Sequence, residues 1–248
     1  MIASAALLAG LAAASVGTSF VSGILGMAGG MILLGILLAA LPLPAAMALH
    51  GVTQFASNGW RAAMLWRSVD WRVLRGYAMG AAISVAVFAA VRIVLGKPAA
   101  LIVLGLTPFV ALALPEKLHL NVERRGHSFA CGLACVALSL TAGIAGPILD
   151  LFFVRSRMSR HQVVATKAMT QCMSHLIKIA YFGGILAGEQ SHVSPWLAAS
   201  LVVLAFAGTT LSRSVLERMT DASFRRWTRW TVMSVGAMYL LGGIRAII

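Results

Sequence analysis

The sequence predicts an all-α integral membrane protein made of two inverted repeats, and three observations lead there. Hydrophobic residues make up 60% of the 248 positions and charged residues only 11%, with a mean hydropathy of +0.89. Such a composition is typical of a polytopic membrane protein. Apolar stretches near the roughly 20 residues that cross a bilayer recur along nearly the whole chain. Finally, a segment of the first half recurs in the second half.

The apolar pattern divides the chain into two halves of five helical segments each. The predicted segments are 3–26, 30–41, 45–66, 72–95 and 98–114, then 127–145, 147–154, 160–187, 195–211 and 222–247. We therefore predict a first repeat over 1–115, a cytoplasmic linker over 116–126 and a second repeat over 127–248. An odd number of segments per half places the second half in the opposite orientation, as in inverted-repeat transporters.

The evidence for the repeat lies in its polar positions. Residues 22–66 align with 139–183 without a gap. Chance matches of Ala and Leu are expected in so apolar a chain, whereas matching polar residues are not. The polar matches are Thr53 with Thr170, Gln54 with Gln171, Ser57 with Ser174, and basic Arg61 with basic Lys178; His50 falls on Lys167.

The charges predict how the chain crosses the membrane. The net charge of +13 comes mainly from Arg and Lys in short connections, so we assign it to topology rather than to nucleic-acid binding. Under a ten-segment count four connections rich in Arg and Lys share one side, which the positive-inside rule makes cytoplasmic; they lie around 67–75, 117–125, 155–160 and 213–229. Arg92 and Lys97 are exceptions on the other side. We expect a multi-pass protein of the cell inner (plasma) membrane with extracytoplasmic termini, whose first segment is a membrane helix rather than a signal peptide.

Two segments are too short to span. About seven residues, or roughly 12 Å of helix, separate Pro147 from Arg155. The sequence therefore predicts a re-entrant hairpin with the tip "GIAGP" near the midplane, and a counterpart at "GMAGG", 26–30. The alternative is that these glycines only allow close helix packing. Helix ends at such tips offer backbone N–H groups to an anion, which makes Gly29, Gly30 and Gly146 candidate site residues.

Two polar stripes supply the remaining candidate site residues. Residues three and four apart share a helix face. Polar groups at membrane depth are energetically costly unless they have a partner, and ionisable groups there indicate a functional site. The predicted substrate-binding side chains are His50, Thr53, Gln54, Ser57 and Arg61 in the first half, and Lys167, Thr170, Gln171, Ser174 and Lys178 in the second. Arg61 and Lys167 have the alternative of reaching the membrane surface.

Four other reactive side chains are not predicted to bind the substrate: Asp150, His175, Cys131 and Cys135. Asp150 is expected to pair with Lys167 or Lys178, with proton coupling as the alternative. We interpret His175 as a packing contact rather than a proton carrier. Cys131 and Cys135 lie one helical turn apart, but with no further ligands nearby we interpret them as small apolar residues. No metal site and no cofactor are predicted.

The sequence resembles the TauE/SafE family of sulfite exporters. The resemblance rests on "GMAGGMILLGILLAALPLP", the apolar helix after it and "SVDWR" at 68–72. It implies an all-helical inner-membrane transporter of inverted repeats that moves sulfite, sulfoacetate or related sulfur anions, and it carries over Gly26, Gly29 and Gly30 as motif glycines. The third helix departs from the family's Gly-Thr-Ser core, having "LHGVTQFASN" instead.

The predicted function is secondary transport of a small sulfur anion by alternating access around a midplane site. The alternatives are a passive anion channel and a carrier of a small carboxylate. An enzymatic role is not expected, because the sequence has neither a nucleotide-binding loop nor a metal-ligand spacing. The expected partners are the anion and the lipid bilayer, with proton coupling left open and oligomeric state not assigned.

Overall fold

The protein folds as an assembly of helices. The computed structural model describes residues 5–25, 27–91, 95–113, 120–185 and 194–247, and within these ranges it contains ten α-helices and no strand. The first five are α1 Ala5–Leu25, α2 Met27–Ala40, α3 Leu43–Met64, α4 Trp71–Val91 and α5 Lys97–Ala113. The second five are α6 His127–Thr141, α7 Gly146–Phe153, α8 Arg160–Ala180, α9 Pro195–Arg218 and α10 Asp221–Arg245. The all-α prediction is confirmed, with a helix at each predicted segment.

Helices α3 and α8 lie at the centre and pack against each other. Around them α1 packs on α9, α4 on α6, and α5 on α10. With α1 corresponding to α6, α4 to α9 and α5 to α10, exchanging the two halves of the chain turns the α1–α9 pair into the α6–α4 pair and leaves the α5–α10 pair as it is. This exchange supports the predicted repeat, while the opposite orientation of the halves stays a prediction.

Helices α6 and α7 form a helical hairpin around "GIAGP" as predicted, while its re-entrant placement at the midplane stays a prediction. Helix α6 ends at Thr141, and α7 begins at Gly146 with Pro147 in its first turn. The turn between them contains Gly143 at φ +82°, a conformation that favours glycine. Eight residues make α7 about 12 Å long, well short of a bilayer core.

The first-half counterpart differs from the prediction. Gly26 lies outside the described residues, but Met27 to Gly30 already belong to α2, so Gly29 and Gly30 are helical residues rather than part of a tip. The reason lies in the aligned residue: Gly30 corresponds to Pro147. Proline has no N–H group and is tolerated only in the first turn of a helix, so α7 has to begin close to Pro147. Gly30 has an N–H group that can donate within the helix, so α2 is able to begin before it.

The "VDWR" segment has a structural explanation. Asp70 precedes α4, and its carboxylate oxygen Oδ1 accepts hydrogen bonds from the backbone N–H groups of Arg72 (2.9 Å) and Val73 (3.0 Å). The N–H of Asp70 itself donates to the Thr166 hydroxyl on α8, at 2.9 Å. Asp70 therefore caps α4 and ties its start to the second half of the chain.

The outer surface is strongly apolar. Large side chains such as Met79, Val87, Trp196, Val203 and Met238 are exposed. By length and hydropathy alone, Trp71–Val91 and Pro195–Ser212 are able to cross a membrane. Helices α3 and α8 carry the polar stripes, which lowers their mean hydropathy. An exposed apolar surface of this extent is what a lipid environment requires.

Candidate functional site

A small cavity lies where the two central helices meet the α6–α7 hairpin. Its volume is about 30 Å³. It is lined from α2, α3 and α4 by Gly30, His50, Gln54 and Tyr77, from α6 and the turn by Cys135, Ser139, Ile144 and Ala145, and from α7 and α8 by Gly146, Leu149, Gln171, Ser174 and His175. The glutamine pair predicted from the repeat is thus brought together at one site.

Unpaired polar atoms distinguish this cavity. Among the described residues, four buried side-chain atoms have no hydrogen-bond partner, and three of them belong to lining residues: Gln54 Nε2, Ser139 Oγ and His175 Nδ1. Each of the three side chains is more than nine-tenths buried. A buried polar group without a partner costs about 1 to 3 kcal/mol, so three at one cavity call for a bound molecule, either water or a ligand, to complete their bonding.

The start of α7 adds backbone donors to the cavity wall. Gly146 is the first residue of this helix and Ala145 precedes it, and both line the cavity. The first N–H groups of a helix have no partner within it, and they carry a partial positive charge that favours anions. Pro147 has no N–H group, so of the first two residues of α7 only Gly146 offers a backbone donor to a ligand. Gly30 on α2 also lines the cavity, and an added β-carbon there would lie 3.1 Å from Gln54 Oε1.

Two buried basic side chains, Lys178 and His50, meet at the edge of the cavity, which His50 lines and Lys178 does not. Lys178 is fully buried; its Nζ lies 2.5 Å from His50 Nδ1 and donates to the Gly143 carbonyl at 2.9 Å. The other ring nitrogen of His50, Nε2, lies 3.0 Å from the Gly30 carbonyl oxygen. The His175 ring approaches His50 edge-on, with centroids 5.5 Å apart. Lys178 therefore reaches the site through His50 rather than by lining it.

The other predicted side chains have protein partners away from the cavity. The hydroxyls of Thr53 and Thr170 donate within their own helices, to the carbonyls of Leu49 and Lys167. Arg61 donates to the Ser22 carbonyl at 3.4 Å. Lys167 forms an ion pair with Asp150, the first of the two partners predicted for that carboxylate.

Gly29 has a packing role in the structure. A β-carbon added there would lie 2.0 Å from the Thr18 carbonyl oxygen. Close approach of α1 and α2 therefore requires glycine at this position. Gly29 does not line the cavity, in contrast to Gly30 beside it.

The repeated serines bond to neighbouring helices in matching ways. Ser57 on α3 lies 2.8 Å from the Thr209 hydroxyl on α9, and Ser174 on α8 lies 2.5 Å from the Tyr77 hydroxyl on α4. Since α9 and α4 are themselves counterparts, the two bonds correspond under exchange of the halves. Ser174 also lines the cavity, whereas Ser57 does not.

Several residues that line the cavity are not among the site residues predicted from the sequence. Ser139 and Tyr77 were not among the candidates, Cys135 was interpreted as a small apolar residue, and His175 as a packing contact. A signal for Ser139 existed, because it aligns with Ser22 in the repeat. No such signal existed for Tyr77, which lies outside the aligned region. No cluster of metal-binding side chains occurs within the described ranges.

Comparison with known proteins adds a family. A family model described as sulfite exporter TauE/SafE matches residues 11–239, which include every residue that lines the cavity. No curated protein and no solved structure matches the chain significantly.

Proposed function

The chain belongs to the TauE/SafE family of sulfite exporters, and from this premise we propose that it is a secondary transporter whose substrate, a small sulfur oxyanion, binds in the cavity between α3, α7 and α8. The family supports transport of this general kind. The chemistry of the cavity supports the choice of anion and of binding residues. Sulfite and small organosulfonates are the candidate substrates.

The observation that carries this proposal is the set of unpaired polar atoms at the cavity. Gln54 Nε2 is an amide donor and Ser139 Oγ a hydroxyl donor, and the Gly146 N–H lies at the positive end of α7. An oxyanion accepts hydrogen bonds through several oxygens, so one such ligand satisfies donors from α3, α6 and α7 together. Gln171 and Ser174 on α8 complete the wall that faces them.

The arrangement of helices supports alternating access as the transport cycle. The cavity lies between α3 of one half and α8 of the other, and each of these helices is hydrogen-bonded to helices of the opposite half. Rocking of one half against the other would open the cavity to each side in turn. In this proposal the protein lies in the inner membrane with the basic connections in the cytoplasm and both termini outside.

The proposal is tested by uptake of [35S]sulfite into liposomes that contain the purified protein. Gln54→Leu and Ser139→Ala each remove one donor to a charged ligand, a loss of about 1.5 to 3 kcal/mol. We expect KM for sulfite to rise roughly ten- to a hundredfold. Ser200→Ala is the matched control for Ser139→Ala, because Ser200 is exposed and bonds only to the Trp196 carbonyl of its own helix.

Two results would contradict the proposal. Unchanged KM and kcat in both Gln54→Leu and Ser139→Ala would remove the cavity as the binding site. An equal rise in KM for sulfite in Ser200→Ala would show that the effect comes from the quality of the variant proteins rather than from the site. Each variant is compared with the wild-type protein at equal amounts in the vesicles.

A further inference from the structure

The Lys178 and His50 side chains form a buried pair, and the substrate-binding residues proposed above do not include it. Gly30 O can only accept a hydrogen bond, so His50 Nε2 at 3.0 Å carries the ring hydrogen and Nδ1 is left as an acceptor. Lys178 Nζ faces that acceptor at 2.5 Å and also donates to Gly143 O. Two facing nitrogen atoms this close need one hydrogen between them, since two N–H groups would collide.

This geometry allows two protonation states and no more. Neutral Lys178 and neutral His50 satisfy both contacts with a total charge of zero. One added proton, on Nζ or on Nδ1, leaves the same contacts in place with a charge of +1. A second added proton would set two N–H groups against each other. The pair is therefore a site for a single exchangeable proton, and the proton can come and go without breaking the hydrogen bonds.

No acidic side chain neutralises the charged state. Asp150 is paired with Lys167, and in the described part of the chain the contacts of Lys178 and His50 are with each other, with the Gly143 and Gly30 carbonyls and with the His175 ring, none of which is a carboxylate. The other titratable groups at the cavity are His175 on α8, Tyr77 on α4 and Cys135 on α6, none of which supplies a negative charge in its ordinary neutral form. A buried, unpaired positive charge is costly.

An anion in the cavity would supply the missing charge, because His50 itself lines the cavity. Opposite charges a few ångströms apart in a protein interior attract strongly. Anion binding would then favour the protonated pair and protonation would favour anion binding, by equal factors. We infer that the Lys178–His50 pair is the proton site of a coupled carrier, in which one proton crosses the membrane together with each anion.

This inference rests on the proposed function, and it adds the coupling ion and the residues that bind it. The transport step conserves all atoms and charges: the proton binds the pair from one side of the membrane and leaves to the other, with no further chemical change. For a singly charged anion the loaded carrier then bears no added net charge. The direction of net movement follows the summed gradients of proton and anion.

The test uses proteoliposomes held at zero membrane potential with K⁺ and valinomycin, with pyranine trapped inside to report pH. The probe is [14C]methanesulfonate, which keeps a single charge between pH 6 and 8, and sulfite is the reference substrate. With the outside more acidic than the inside, wild-type protein should accumulate methanesulfonate by about tenfold per pH unit at equilibrium. A methanesulfonate gradient should in turn acidify the compartment it enters.

Variants locate the proton site. Lys178→Met removes one nitrogen, and His50→Gln keeps a donor for Gly30 O but cannot accept an extra proton. In both, the number of protons moved per anion should fall below the wild-type value of one, at whatever rate of anion movement remains, because each variant leaves a single titratable nitrogen without its facing partner. Lys97→Met is the matched control, since Lys97 is exposed at the start of α5, and it should keep the wild-type ratio. The wild-type measurement stands by itself if both site variants fail to fold.

The outcomes separate this inference from the proposed function. Because sulfite titrates near neutral pH, its proton flux is taken as the difference between wild type and Lys178→Met. Movement of methanesulfonate or sulfite without accumulation and without a proton flux above that of Lys178→Met overturns the coupling and leaves the transporter. A wild-type ratio in both site variants overturns the assignment to this pair. No saturable movement of either anion overturns the proposed function, and the coupling with it.

Discussion

Gln54 and Gln171 occupy equivalent positions in the two halves but have different surroundings. Gln54 is buried with an unpaired Nε2 atom, whereas Gln171 is half-buried along the same cavity. Periodicity and the repeat predicted that these side chains share a site. They did not predict Ser139, because a single serine in an apolar helix has many structural uses, and its pairing depends on how the hairpin packs.

Gly143 has the most constrained position in the hairpin turn. Its φ of +82° is unfavourable for other residues, and an added β-carbon would lie 2.6 Å from Leu34 Cδ2 and 2.7 Å from Met47 Sδ. Its carbonyl also accepts from Lys178. One residue therefore sets the turn, the packing against α2 and α3, and one contact of the lysine.

Gly143→Ala should lower the thermal stability of the purified protein in detergent and reduce transport. Gly126→Ala is the matched control, because Gly126 has a φ of +80° but nothing within 4 Å of an added β-carbon. Backbone strain of about 1 to 3 kcal/mol is common to both, whereas overpacking adds about 1 to 3 kcal/mol at Gly143 alone. Equal melting temperatures for the two variants would contradict the tight packing described for the turn.

At the scale of helices, apolar segmentation predicted the existence and order of all ten, because spans near 20 residues are set by the bilayer. Helix ends were less predictable. Pro147 fixed the start of α7 as expected, but without a proline at Gly30 helix α2 begins at Met27, inside the predicted tip and before the predicted helix start at 30. Helix starts thus followed local chemistry more closely than hydropathy.

The cap of α4 gives a prediction at this scale. Asp70→Ala removes the acceptor for two backbone N–H groups, and loss of such a cap costs about 0.5 to 2 kcal/mol. The melting temperature should fall, with the start of α4 affected most. Asp70→Asn keeps a side-chain oxygen that can accept and should stay close to wild type. Equal stability of Asp70→Ala and wild type would show that the cap contributes nothing.

At the scale of the whole molecule, the packing of helices brings the two polar stripes to one centre. The pairs α1 with α9, α4 with α6, α3 with α8 and α5 with α10 each exchange with a member of the same set. The cavity itself is not symmetric, since its unpaired atoms come from α3, α6 and α8. An asymmetric site suits one orientation of one small ligand.

The measurement that tests the central claim most directly is uptake by wild-type protein in liposomes of sulfite, thiosulfate, sulfate, sulfoacetate, acetate and chloride. The cavity and the family predict saturable uptake of [35S]sulfite, competition by sulfoacetate, and no competition by acetate or chloride. Uptake of acetate alone, or conductance that does not saturate with sulfite, would contradict a sulfur-anion carrier and favour a carboxylate carrier or a channel.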